Sequence, residues 1–253
     1  VLIYIVTRHW SKGFIDGGWE PLALETIGVG REDKALKNTG TIQINMLDRH
    51  IIPIIKPPLR RVALLAHGRN ITADQLTFAG FACGIASFLC LVFQRSDLAL
   101  IFFAVNRLAD GIDGELARLS EGTDAGAFLD ITLDFVIYAL IPVGFALYNP
   151  GTNALPAAVL VASFVGTGAS FLAFASQADK HAISHPDFSY KGLYYLNGLA
   201  EGTETILCFV LMCLFPAWFP VFAYVFAFIC VITTVNRIYF GYKTLRTATT
   251  KQS

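Results

Sequence analysis

Apolar stretches of near-uniform length, set off by short polar or proline-rich breaks, run through most of the chain. A helix that crosses a bilayer needs about 20 mostly apolar residues. Six stretches meet that test, at about 72–94, 97–119, 124–148, 154–178, 198–216 and 219–245. The breaks are Gln94-Arg95-Ser96-Asp97, Ser120-Glu121-Gly122-Thr123, Asn149-Pro150-Gly151 and the run from Phe215 to Pro220. Thr72-x-x-Gln75 has the form of a capping box opening the first stretch. The pattern predicts an all-α, polytopic membrane protein with six transmembrane helices, and the short turn at 120–123 predicts that the second and third are antiparallel neighbours.

The distribution of lysine and arginine orients this bundle. Arg49, Lys56, Arg60, Arg61 and Arg69 precede the first stretch. Arg118 flanks the second break, Lys180 and Lys191 lie between the fourth and fifth stretches, and Lys243, Arg246 and Lys251 follow the sixth. The other side has Arg95 in its connections, and its turns at 149–153 and 216–220 are uncharged. Both termini are therefore expected in the cytoplasm. Residues 46–70 mix apolar pairs, proline and basic groups, as a juxtamembrane segment lying against anionic membrane lipids would. Residues 1–45 show no spanning run and no signal-peptide pattern and read as an N-terminal extension of uncertain structure, with Met46 a candidate start. The six-helix domain is expected over 71–246.

Composition agrees. The chain is 55% hydrophobic and 15% charged, against about 25% charged in soluble domains. Nineteen basic residues balance nineteen acidic ones, which removes the net basic field of a nucleic-acid binder. Extensive disorder is excluded by the high hydrophobicity. The five cysteines sit in apolar stretches without C-x-x-C spacing and read as small buried hydrophobes.

Against this background the acids of the second and third stretches stand out: Asp110, Asp113, Asp130 and Asp134. Unpaired at mid-membrane, four carboxylates would cost on the order of 10 kcal/mol. One arginine, Arg118, is too little charge to neutralise them. On a helix Asp110, Asp113, Gly114 and Ala117 share an arc of about 100°, with Arg118 at its edge, and Gly126, Asp130 and Asp134 form one stripe. Convergent carboxylates need shared cations, and an all-oxygen set suits Mg²⁺ or Mn²⁺, with room for two ions. The glycines and the alanine taken alone mean close helix packing, whereas intramembrane acids point to function by default.

The run Asp110-x-x-Asp113-Gly114-x-x-Ala117-Arg118-x7-Gly126-x3-Asp130-x3-Asp134 resembles the signature of the CDP-alcohol phosphotransferase (CDP-alcohol phosphatidyltransferase) family, with all eight fixed positions present. The resemblance implies a membrane enzyme of phospholipid biosynthesis, in the inner (cytoplasmic) membrane with its site facing the cytoplasm. Such an enzyme moves a phosphatidyl or related group from a CDP-linked lipid donor to an alcohol acceptor and releases CMP. It further implies that Asp110, Asp113, Asp130 and Asp134 bind the metal ions and that Asp134 is the catalytic base. Gly114, Ala117 and Gly126 would line the cytidine pocket, Arg118 would contact the diphosphate, and the enzyme would be a homodimer.

The signature does not read the acceptor. Arg237, which with Asn236 interrupts an apolar stretch, and Lys180 are the leading candidates for an acceptor phosphate. His181, Lys191, Glu201, Glu204 and Glu115 are further polar groups near the cytoplasmic ends. Three alternatives remain at this stage: a transferase making a soluble polyol phosphodiester, an intramembrane prenyltransferase suggested by Asn106-x3-Asp110-x-x-Asp113, and a divalent-cation transporter. The prenyltransferase pattern lacks the rest of the motif, and a pore needs polar groups through the whole membrane depth.

Overall fold

The structure, a computed structural model, describes residues 47–120, 122–180 and 202–252, with side-chain surroundings from 55 to 247 within these. The expected extension 1–45 and residues His181, Lys191 and Glu201 lie outside the described residues. Among the described residues all regular structure is helical. The helices are α1 (Leu47–His67), α2 (Ala73–Val92), α3 (Ser96–Leu119), α4 (Asp124–Tyr148), α5 (Pro150–Lys180), α6 (Gly202–Leu214) and α7 (Phe219–Gln252), with one 3-10 turn at Pro216–Trp218.

Each of the six apolar stretches contains a helix, and the local signals act as their chemistry dictates. Thr72 and Gln75 form the reciprocal capping box at the start of α2, with bonds of 3.1 and 3.2 Å. Asn70 and Gln94 take the left-handed conformation in the turns on either side of α2. The fourth stretch starts earlier than expected: α5 opens at Pro150, where a missing N–H costs nothing. Asn153 is buried and donates through Nδ2 to the Phe145 carbonyl at 2.9 Å, so a polar residue read as part of a connection belongs to the helix.

Among the described residues four helical segments are long and apolar enough to cross a membrane: Ala73–Val92, Asp124–Tyr148, Pro150–Ala178 and Pro216–Thr247. α3 has the length but is rich in charge, including Arg107, Asp110, Asp113, Glu115 and Arg118. The described part of α6 has 13 residues. Many large apolar side chains point outward, among them Phe78, Phe128, Val165 and Phe228, as helices facing lipid require.

Small residues set the helix spacing, because dispersion contacts rather than water exclusion hold helices together in lipid. A Cβ on Gly80 would come within 2.9 Å of Ala109 on α3, and one on Gly84 within 2.4 Å of Ile137 on α4. α2 thus packs closely on both α3 and α4. The backbones of α3 and α4 come close at few points, and the two expected neighbours meet through side chains: Arg107 of α3 bonds Asp134 of α4, and Asp110 has a carboxylate oxygen within 4.8 Å of those of Asp130 and Asp134. α2 packs along both, where its glycines allow close approach. α5 packs on α4 and α7, and α1 packs on α3. α6 inserts Phe209 edge-on among Phe103 of α3, Tyr138 of α4 and Phe164 of α5, at centroid distances of 5.6, 6.0 and 6.0 Å.

Candidate active site

The gap between α3 and α4 is a narrow cleft with a cavity volume of about 10 Å³. α2 contributes Thr77, Gly80 and Phe81 to its wall, α3 contributes Asn106, Asp110 and Asp113, and α4 contributes Asp130, Leu133, Asp134 and Ile137. The four aspartates therefore face one space, and all four are buried. Asp110, Asp130 and Asp134 each offer a carboxylate oxygen within 4.8 Å of the others. Asp113 stands on the same wall, with Oδ2 accepting a hydrogen bond from Thr77 Oγ1 at 2.7 Å.

Oδ1 of Asp110 and Oδ1 of Asp113 are buried with no hydrogen-bond partner. Orphaned buried carboxylate oxygens cost several kcal/mol unless a cation satisfies them. The donor set is oxygen throughout, with neither thiolate nor imidazole, and so fits a hard divalent cation.

The charge balance expected from the sequence needs correction. Arg107, not weighed as a partner of the acids, crosses the cleft from α3. Its Nη2 donates to Asp134 Oδ1 at 2.6 Å and its Nη1 to Asp134 Oδ2 at 3.0 Å. Nη1 also reaches the Tyr138 hydroxyl at 3.1 Å and lies 3.6 Å from Asp110 Oδ2. Nε donates to Asn106 Oδ1 at 2.8 Å, and Asn106 Nδ2 donates to the Gly80 carbonyl at 2.9 Å, which ties the network to α2. The guanidinium carbon lies 5.9 and 5.2 Å from the ring centroids of Phe103 and Tyr138. One clue was available in the sequence: Arg107 precedes Asp110 by three residues and so shares its helical face.

The remaining predicted residues are placed as follows. Gly114 is buried beside Asp113, and Ala117 is half-buried one turn further on. Arg118 is half-buried and pairs with buried Glu115 on its own helix. Gly126 sits where the Thr123 side chain caps α4, accepting from the Gly126 N–H at 3.0 Å. A Cβ there would meet the Asp74 carboxylate of α2 at 2.8 Å. Arg237 is buried between α7 and α5, donating to the Thr167 carbonyl at 3.1 Å with its guanidinium 5.5 Å from the Phe171 ring centroid; it is not on the wall of the aspartate cleft. Glu204 lies in the first turn of α6. The side chain of Lys180 lies outside the described residues.

Comparison with known proteins agrees with the motif. The family model for CDP-alcohol phosphatidyltransferase matches residues 70–236. The chain is 52% identical over 201 residues to inner membrane protein YnjF of Escherichia coli (strain K12), covering 79% of this chain and 98% of that protein. It is 29% identical over 196 residues to archaetidylinositol phosphate synthase of Pyrococcus horikoshii, covering 77% of this chain and 96% of the relative. Its fold is similar to that of Mycobacterium tuberculosis phosphatidylinositol phosphate synthase, solved with CDP-DAG bound, at a TM-score of 0.54 and 18% identity over 73% of this chain and 93% of that one. A cleft holding all four motif aspartates, in a chain matched from before α2 into α7, makes the protein a member of the CDP-alcohol phosphatidyltransferase family.

Proposed function

We propose that the protein transfers a phosphatidyl group from CDP-diacylglycerol, or a closely related CDP-linked lipid, to an alcohol acceptor and releases CMP. The observation that carries this reading is the convergence of Asp110, Asp113, Asp130 and Asp134 on one buried cleft with two orphaned carboxylate oxygens. The four carboxylates would hold two divalent ions, Mg²⁺ or Mn²⁺. Ions held by these carboxylates would supply charge neutralisation for the donor's diphosphate and for departing CMP.

The chain's own residues have distinct tasks. Arg118 contacts the diphosphate, while Gly114, Ala117 and Gly126 leave space for the cytidine. Asp134 accepts the proton of the acceptor hydroxyl as its oxygen forms a bond to the β-phosphorus and the bond from that phosphorus to the CMP oxygen breaks. Arg237 and Lys180 would bind an acceptor phosphate. The name of the Pyrococcus horikoshii relative, archaetidylinositol phosphate synthase, supports an inositol phosphate as acceptor.

The setting is a multi-pass protein of the inner membrane, supported by the name of the Escherichia coli relative and by the apolar helices. In this reading α3 and the segment containing α6 also cross the membrane, giving six spans with both termini and the cleft mouth on the cytoplasmic side. α1 lies on the surface, and the protein is a homodimer. The experiment is CMP release from CDP-diacylglycerol by purified protein, with glycerol 3-phosphate and inositol phosphate among the acceptors. Turnover that stops with EDTA, returns with Mg²⁺ or Mn²⁺, and is lost in folded Asp134→Asn supports the reading. Chelator-insensitive turnover, or a fully active Asp134→Asn, removes the metal or base assignment respectively.

A further inference from the structure

We infer that Glu115, an acid at one of the motif's variable positions, is a positioning residue for Arg118. It holds the guanidinium at the rim of the cleft, ready for the diphosphate of the CDP-linked donor. The inference rests on the reading of Arg118 as the diphosphate contact and gives a task to a buried acid which that reading leaves idle.

The order of side chains around α3 carries it. At about 100° per residue, Asp113 and Asp110 lie on the cleft side, Gly114 follows, then Arg118, and Glu115 comes last, about 160° from Asp113. Arg118 therefore stands between the acids of the cleft and Glu115, which is not on the cleft wall. Arg118 Nη2 donates to Glu115 Oε1 at 2.5 Å. The two ends of this pair differ in exposure: 6% of the Glu115 side chain is accessible, against 25% of the Arg118 side chain. The acid is the fixed end, and the arginine is the end that solvent, and so a ligand, can reach.

Stability does not account for the acid. A buried carboxylate gives up its hydration, and an ion pair with a partly solvated arginine on the same helix returns little of that cost. An apolar side chain of similar volume would pack there without loss. What the carboxylate adds is direction. Arginine has a long side chain with many rotamers, and a fixed acceptor restricts where its planar donors lie before the ligand arrives.

The test is calorimetric binding of CDP-diacylglycerol to the full chain in detergent with Mg²⁺, alongside thermal unfolding. Glu115→Leu removes the acceptor at nearly constant volume and should raise Kd roughly five- to tenfold while the melting temperature stays level or rises. Glu115→Gln keeps an Oε1 acceptor and should stay within about twofold of the unaltered protein, which separates placement from charge. Glu115→Ala replaces the leucine variant where that one does not fold. Arg118→Ala should weaken binding by at least as much as Glu115→Leu, and the double variant should bind no worse than Arg118→Ala alone. Unchanged Kd in folded Glu115→Leu or Glu115→Ala, with binding weakened in Arg118→Ala, overturns the proposal and leaves the role of Arg118 standing. A further loss when Glu115→Leu is added to Arg118→Ala also overturns it, because the acid would then act by another route. Unchanged Kd in Arg118→Ala removes the diphosphate contact itself, and the proposal with it.

Discussion

The Thr77 hydroxyl donates to Asp113 Oδ2 at 2.7 Å, joining residues 36 positions apart and fixing an acid of α3 from the flank of α2. The Ala73 carbonyl, at 3.0 Å, is the alternative acceptor for the same hydrogen. A carboxylate held this way has one oxygen committed to the protein and the other left for a cation. Thr77→Val keeps the side-chain shape and removes the donor. Hydrogen bonds to charged groups contribute about 1.5–3 kcal/mol, so kcat/KM for CMP release should fall roughly ten- to hundredfold. Thr77→Ser should recover most of it, and steady-state kinetics on the two variants decide the matter.

Gly84 tests the role of α2 as the wall shared by the two acid-bearing helices. A methyl there would overlap Cδ1 and Cγ1 of Ile137, at 2.4 and 2.7 Å, and Ile137 is fully buried. Gly84→Ala should therefore destabilise the bundle by about 1–3 kcal/mol. Adding Ile137→Val should restore part of this by returning volume to the contact. Thermal unfolding in detergent measures both, and additive losses in the pair would show that the contact is not the cause.

Gly126 separates packing from substrate binding. The atom its Cβ would strike is the end of the exposed Asp74 side chain, which can turn away. Gly126→Ala should leave the melting temperature nearly unchanged. If Gly126 makes room for cytidine, apparent KM for CDP-diacylglycerol rises at least tenfold, and adding Asp74→Ala does not recover it. Recovery by Asp74→Ala would show that the glycine serves only the approach of α2 to α4.

The motif acids were readable from spacing alone, because Asp110 and Asp113, and then Asp130 and Asp134, repeat at helical intervals within otherwise apolar runs. The capping box at Thr72 and Gln75 followed from short-range chemistry that tertiary packing seldom alters. The role of Arg107 is not legible in the same way, for a physical reason. Lysine and arginine at span ends carry the orientation signal, and an arginine within a span adds nothing to it. Its helical face held the information, but its partner Asp134 is 27 positions away. The packing of α2 along both acid-bearing helices was likewise hidden, since only the glycines of α2 hint at it.

Arg237 shows the converse difficulty. A charge interrupting an apolar stretch marks a polar interior, and the structure places it at the α5–α7 contact with Thr167 and Phe171. Spacing along α7 carried no information about which helix would receive it.

Leu59 of α1 fills the notch left by Gly111, where a Cβ would stand 2.8 Å from Leu59 Cδ1. Gly111 immediately follows Asp110. The rod proposed to lie on the bilayer surface and the rod bearing the first two acids are thereby keyed together like a tongue in a slot, so in that proposed setting the depth at which α1 floats among the headgroups would set the height at which the chemistry meets its lipid.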